Sequence, residues 1–116
     1  MHARGSMDLN ELAATTGQHA GVIWTLEGSG DLNANLVRFD ARGGVGEHVN
    51  EELDVVLVGV AGSGFARVSG EEHPLSAGKL VFVPKGAERS TVALSDGFAY
   101  LTVHRRRGPL RIGDKH

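Results

Sequence analysis

The feature that most constrains this fold is the regular alternation of short apolar segments with glycine-rich breaks. Seventeen of the 116 residues are glycine and only three are proline. Eight segments have the length of a strand, and each is bounded by Gly, Asp, Asn, Ser or Pro. They are GVIWTLEG, NANLVRFDA, LDVVLVGV, GFARVSG, EEHPL, KLVFVP, RSTVALS and FAYLTVHR. Such even spacing is typical of a sandwich or barrel of antiparallel strands. We therefore predict an all-β fold.

One segment instead predicts a helix. In DLNELAAT, Asp8 is a plausible N-cap and Glu11, three residues later, is its capping-box partner. The length of the chain predicts a single domain, residues 8–116, after a tail of residues 1–7 that begins with MHARGS and that we interpret as a cloning remnant. Trp24, the only tryptophan, is expected to be a core or interface residue.

Charge and composition exclude several classes of partner. The chain has no cysteine, which removes thiol nucleophiles and disulfides and fits a reducing compartment. A net charge of −2 and apolar runs far shorter than a membrane span argue against nucleic-acid and membrane partners. We expect a cytoplasmic protein. Basic residues crowd the C-terminus, where we interpret them as a charged, solvated strand end: Arg105, Arg106, Arg107, Arg111 and Lys115.

The segment LDVVLVGV is apolar on both faces. In a strand, Val56, Val58 and Val60 project from one side, and Val55 and Leu57 project from the other. One side therefore meets either a second layer of the same chain or a second subunit. Both alternatives fit the pattern, and we expect a homodimer.

Two stretches resemble the conserved motifs of the cupin family. GKLVFVPKGAER, residues 78–89, has a glycine, five residues, a proline, one residue and a glycine, as the second cupin motif does. HVNEELDVVLVGVAG resembles the first motif, with His48 and Asn50 at its two histidine positions, Asp54 at its acid and Gly62 near its turn glycine. The resemblance covers residues 33–104. It implies a cupin-like antiparallel β-barrel or jelly roll with a short N-terminal helix.

Four polar residues of the first motif are spaced two apart, so an extended strand would project them from one face. They are His48, Asn50, Glu52 and Asp54. An imidazole, an amide oxygen and a carboxylate at a barrel mouth could hold a divalent ion of iron, manganese, nickel or zinc. In the second motif, Pro84 ends a strand and Gly86 allows a turn that aims Arg89 back into the barrel.

Arg89 occupies the position where the resemblance implies a histidine in metal-binding cupins. A guanidinium has no lone pair to donate and repels a cation, and Asn50 is a poorer ligand than histidine for the softer metals. The sequence thus predicts weak or no metal dependence. Alternatively, Arg89 pairs with Asp54 or Glu52 as a structural ion pair.

Three functional hypotheses follow. The first is a small, anionic organic ligand in the barrel mouth, bound by Arg89, His48, Glu52, Tyr100 and His104. The second is a divalent-metal enzyme, a dioxygenase or isomerase, with His48, Asn50 and Asp54 as ligands. The third is a protein-binding or regulatory module. Whether the chain is an enzyme stays open at this point, although no GxxxxGK or GxSxG motif is present.

Overall fold

The computed structural model describes residues 5–15 and 19–106. Over this part of the chain, one helix precedes nine strands. They are α1 (Leu9–Thr15), β1 (Gly21–Thr25), β2 (Leu32–Phe39), β3 (Gly44–Val49), β4 (Val55–Ala61), β5 (Gly64–Val68), β6 (Glu71–Pro74), β7 (Leu80–Val83), β8 (Glu88–Ala93) and β9 (Phe98–Arg105). The helix begins as predicted, because the backbone N–H of Glu11 donates to Asp8 Oδ1 at 3.0 Å.

The strands form two antiparallel sheets. The order is β1-β2-β9-β4-β7 in the five-stranded sheet and β3-β8-β5-β6 in the four-stranded sheet. No strand pairing joins the two sheets within the described ranges, so they form a two-layer jelly roll and do not close into a barrel. The prediction of an all-β jelly roll with a short N-terminal helix is confirmed.

The main apolar core lies between the two sheets. Strand β4 shows how it forms: Val55 and Leu57 are 1% and 2% exposed, while Val56 and Val58 on the opposite face are only half-buried. The predicted two-faced pattern of this strand is therefore correct. The core consists of Val37, Phe39, Val55, Leu57, Ala66, Val68, Leu75, Val81, Val83, Ala93, Phe98 and Tyr100.

A second, smaller cluster lies on the outer face of the five-stranded sheet. Helix α1 packs there through Leu9 and Leu12 against Leu36, and Trp24 joins the same cluster. Trp24 is therefore a packing residue, in agreement with the sequence analysis. The helix leaves part of this face open, since Leu80 and Phe82 on the edge strand β7 are 62% and 53% exposed.

The first motif does not form one continuous strand, so the prediction that its four polar residues share one face is wrong. Strand β3, which the segment boundaries did not predict, ends at Val49. The next residue, Asn50, turns the chain: its Oδ1 accepts the backbone N–H of Glu52 at 2.9 Å and of Leu53 at 3.1 Å. A side chain that binds the backbone two residues later favours a turn over an extended strand.

Some of the sequence predictions concern residues outside the described ranges. Arg107, Arg111 and Lys115 of the basic C-terminus, and the first four residues of the tail, lie outside the described residues. In the described part, no helix is both long and apolar enough to span a bilayer. The cytoplasmic location and the domain boundaries stay predictions.

Candidate functional site

A pocket of about 100 Å³ lies between the two sheets. Apolar side chains of both sheets form its walls, and a small number of polar groups converge on it, which is the usual make-up of a small-molecule site. The lining residues are Val37, Leu57, Tyr100 and Thr102 from the five-stranded sheet and Val45, His48, Arg89, Ser90 and Thr91 from the four-stranded sheet. We call this space the inter-sheet pocket.

A β-bulge in β3 shapes one wall of the pocket. Val45 lies opposite Thr91 of β8, and His48 lies opposite Arg89, so three steps along β3 match two along β8. In a regular strand, residues three apart face opposite sides, whereas here both Val45 and His48 line the pocket. Gly44 precedes the bulge with φ 152°, and a Cβ there would lie 2.0 Å from the Thr91 carbonyl oxygen. Only glycine allows this close approach.

The second motif places Arg89 in the pocket. Strand β7 ends at Val83, directly before Pro84. Gly86 has φ 87°, and its N–H donates to the Asn50 carbonyl oxygen at 2.7 Å, which ties the two motifs together. Strand β8 then starts at Glu88 and brings Arg89 into the inter-sheet pocket.

Arg89 and His48 form a hydrogen bond across the two strands. Arg89 Nε donates to His48 Nε2 at 3.0 Å, and His48 Nδ1 lies 2.9 Å from the Gly46 carbonyl oxygen. A guanidinium N–H can only donate, so Nε2 must be the acceptor and Nδ1 must carry the proton. His48 is therefore a neutral imidazole with both ring nitrogens engaged.

The rest of the Arg89 guanidinium has no partner among the described residues. Its Nη1 is buried and has no hydrogen-bond acceptor, and no described carboxylate forms an ion pair with it. The alternative that Arg89 pairs with Asp54 or Glu52 is therefore wrong. Burial lowers the pKa of Arg89, while the neighbouring Tyr100 acts in the opposite direction. A guanidinium keeps its charge even so, and a buried donor without an acceptor is unfavourable.

A pair of hydroxyl groups completes the polar lining. Thr91 Oγ1 lies 2.8 Å from Tyr100 Oη and also accepts the backbone N–H of Val45 at 3.2 Å. Burial raises the pKa of Tyr100, and the hydrogen bond to Thr91 and the charge of Arg89 partly oppose this shift. Thr91 is a site residue that was not predicted from the sequence. The sequence does hold a signal for it: Thr91 lies two residues after Arg89 in a predicted strand, which puts the two side chains on one face.

The structure does not bring the remaining predicted residues to this pocket. Glu52, Asp54 and His104 line a separate groove of about 390 Å³, together with Lys85 and Arg105. Asp54 Oδ1 accepts the Lys85 N–H at 2.9 Å, and His104 Nδ1 lies 2.8 Å from the Arg105 carbonyl oxygen. Of the predicted ligand-binding residues, Arg89, His48 and Tyr100 share one pocket, and Glu52 and His104 lie apart from them.

The residues present do not fit a divalent metal. His48 has no free ring nitrogen, the Oδ1 of Asn50 already accepts two backbone N–H groups, and Asp54 lines the other groove. Within residues 5–15 and 19–106, no three His, Asp or Glu side chains are grouped so that they could hold a metal ion. A transition metal needs several converging lone pairs, and these three residues do not supply them at one point.

Comparison with known proteins identifies the fold. No protein-family model and no curated protein matches the chain. Solved structures do: KdgF from Halomonas sp. is 25% identical over 73% of this chain and 77% of its own, with a TM-score of 0.68. TT1209 from Thermus thermophilus is 25% identical over 90% of this chain and 100% of its own, with a TM-score of 0.72.

A protein described as an RmlC-like cupin, from Shewanella frigidimarina, is 22% identical over 72% of this chain and 73% of its own, with a TM-score of 0.64. At this identity the likeness concerns the fold. The two-sheet jelly roll and the two sequence motifs agree with it, and the chain accordingly has the cupin fold.

Proposed function

We propose that this chain binds a small organic anion in the inter-sheet pocket, with Arg89 as the anion contact and without a metal. The observation that carries the proposal is the buried Arg89 Nη1, which has no acceptor. A ligand oxygen would satisfy this donor, and charge-assisted bonds from a guanidinium to a carboxylate are among the stronger hydrogen bonds in proteins.

The surroundings of Arg89 favour a ligand over a purely structural role. A structural arginine in a protein interior is normally paired with a carboxylate. Here the only acceptor among the described residues is the neutral His48 imidazole, which leaves the positive charge without a counter-charge. The pocket beside it has both apolar walls and room for a small molecule.

Binding is proposed rather than catalysis because no base is free in the pocket. Both nitrogens of His48 are engaged, and Tyr100 has a raised pKa, which keeps its hydroxyl neutral. The metal-dependent dioxygenase or isomerase alternative would need ligands that these residues do not bring together.

The proposal is tested with a panel of small carboxylates by thermal shift and isothermal titration calorimetry. The wild-type chain is expected to be stabilised by at least one carboxylate, by about 2.7 kcal/mol at a concentration of 100 times Kd. Arg89→Met should abolish the effect. Arg105→Met is the matched control, because it removes the same charge from the other groove. Equal loss in both variants, or no stabilisation of the wild type, would contradict the proposal.

A second proposal concerns the open part of the five-stranded sheet. Val56 lies opposite Phe82 and Val58 lies opposite Leu80, so these four side chains form one apolar block, which we call the outer patch. Leu80 and Phe82 are more than half exposed, and β7 is an edge strand. Contiguous exposed apolar side chains on a sheet edge are typical of an interaction surface. We propose that a second copy of the chain covers the outer patch.

A further inference from the structure

Among the residues that the structure describes, the hydroxyl pair of Thr91 and Tyr100 always leaves one proton without an acceptor. Thr91 Oγ1 receives the Val45 N–H, and it shares one hydrogen bond with Tyr100 Oη at 2.8 Å. If Tyr100 donates this bond, the Thr91 proton is left over, and if Thr91 donates it, the Tyr100 proton is left over. Either assignment therefore provides one unused O–H donor.

This unused donor is buried in the same pocket as the unpaired Arg89 Nη1. Thr91 is 5% exposed and Tyr100 is 2% exposed, and both line the inter-sheet pocket with Arg89. His48 adds no acceptor, because its Nε2 is taken by Arg89 and its Nδ1 proton is directed at Gly46. Arg89 Nη1 and this hydroxyl are thus two donors without acceptors in one pocket.

We propose that the Thr91–Tyr100 pair forms the second half of the anion site and that the pocket selects small monocarboxylates. This inference rests on the proposed function and adds the ligand class and two specificity-determining residues. One carboxylate oxygen accepts from Arg89 Nη1, and the other accepts the unused hydroxyl proton. A carboxylate offers only acceptors, which matches these two donors.

The charge and the apolar walls of the pocket restrict the class of ligand further. Arg89 is the only charged side chain among the described lining residues. Its single positive charge therefore neutralises a monoanion. A phosphate dianion would keep one negative charge uncompensated and away from water. An amide would turn an NH₂ group towards the donors. The apolar walls of Val37, Val45 and Leu57 suit a short alkyl chain attached to the carboxylate.

The test is a set of four chains: wild type, Thr91→Val, Tyr100→Phe and the double variant. Each single variant still has one free hydroxyl proton from this pair, because the remaining hydroxyl loses its partner, whereas in the double variant the pair supplies none. With propionate as the titrant in calorimetry, we expect each single variant to lose less than about fivefold in affinity. The double variant should lose about tenfold to a hundredfold, more than the product of the two single losses, as expected for a lost bond to a charged group.

A second measurement uses only the wild-type chain and therefore does not depend on the folding of the variants. Propionate should bind at least about tenfold more tightly than propionamide or inorganic phosphate. Equal or tighter binding of phosphate or of the amide would overturn the inference.

The two proposals fail in different ways. Retention of wild-type affinity in the double variant, with loss in Arg89→Met, would overturn the role of the hydroxyl pair and leave the anion site intact. Failure of the wild type to bind any carboxylate would overturn the proposed function and this inference together.

Discussion

His48 of β3 and Arg89 of β8 stand directly opposite each other, and the Nε–H of Arg89 donates to His48 Nε2 at 3.0 Å. The same lone pair would be needed for a metal or for a substrate proton. In this chain it orients a guanidinium instead. The bond holds the Nε edge of Arg89, and the buried Nη1 has no acceptor among the described residues.

His48 is expected to position Arg89. His48→Phe removes the acceptor and should weaken propionate binding by about two- to tenfold, which is the size of one neutral hydrogen bond. His48→Gln offers an amide oxygen to the same N–H and should recover part of the affinity. Calorimetry with propionate on the wild type and the two variants measures the affinity. His48 is exposed, so its replacement leaves the core intact. Unchanged affinity in the phenylalanine variant would contradict the role.

Arg89 is expected to lower the stability of the ligand-free protein. The side chain is half-buried, and its buried Nη1 has no acceptor among the described residues, which is unfavourable for a polar N–H. Arg89→Met should therefore raise the free energy of unfolding by about 0.5–2 kcal/mol while it abolishes carboxylate binding, a known trade-off at functional sites. Urea denaturation without ligand measures it. A loss of more than about 1 kcal/mol would instead show that Arg89 has a structural role.

Much of the fold follows from local signals in the sequence. The Asp8–Glu11 pair marks the helix start, and Pro84 and Gly86 mark the turn that places Arg89, because each of these effects acts within a few residues. The alternation along β4 likewise separates Val55 and Leu57 from Val56 and Val58, and the structure shows that the first pair faces the core.

The positions of the other site residues depend on where the alternation of side chains along a strand is interrupted. The bulge between Val45 and His48 adds a residue to β3, and the turn at Asn50 ends the strand before Asp54. A count of alternate residues from His48 therefore assigns Asp54 to the wrong cavity. The bulge depends on the pairing of β3 with β8, which lies some forty residues further along the chain and leaves no local signal.

Tyr100 is expected to make the protein less stable at alkaline pH. Its pKa is raised above the ordinary value of 10.0 in the folded state, so the folded chain binds more protons than the unfolded chain between the two values. Stability should be constant below about pH 10 and fall as the pH rises towards the folded pKa. Urea denaturation at pH 9 and pH 10.5 measures the fall. Tyr100→Phe should reduce it, and an equal fall in that variant would assign the effect to other groups.

Metal content is expected to be low and unrelated to His48. Both ring nitrogens of His48 are engaged and Asp54 lies in the other groove, so protein purified without chelator should hold far less than one equivalent of iron, manganese, nickel or zinc. Carboxylate binding should be the same with and without EDTA. Near-stoichiometric metal that is lost in His48→Ala would contradict the proposed function.

The outer patch is expected to hold two copies of the chain together. Leu80 and Phe82 are 62% and 53% exposed, and they continue the apolar surface of Val56 and Val58 at the sheet edge. Sedimentation equilibrium should show a dimer for the wild type and a monomer for Leu80→Ser/Phe82→Ser, because polar side chains remove the apolar area that association would bury.

Leu94→Ser is the matched control for the outer patch. Leu94 is 61% exposed but follows β8 of the other sheet, so its replacement removes similar apolar surface and should leave the dimer intact. A wild-type chain that is monomeric at about 100 μM, well above the Kd of a stable dimer, would rule out self-association through this patch. A dimer that survives the double replacement but not Leu94→Ser would move the interface to the four-stranded sheet.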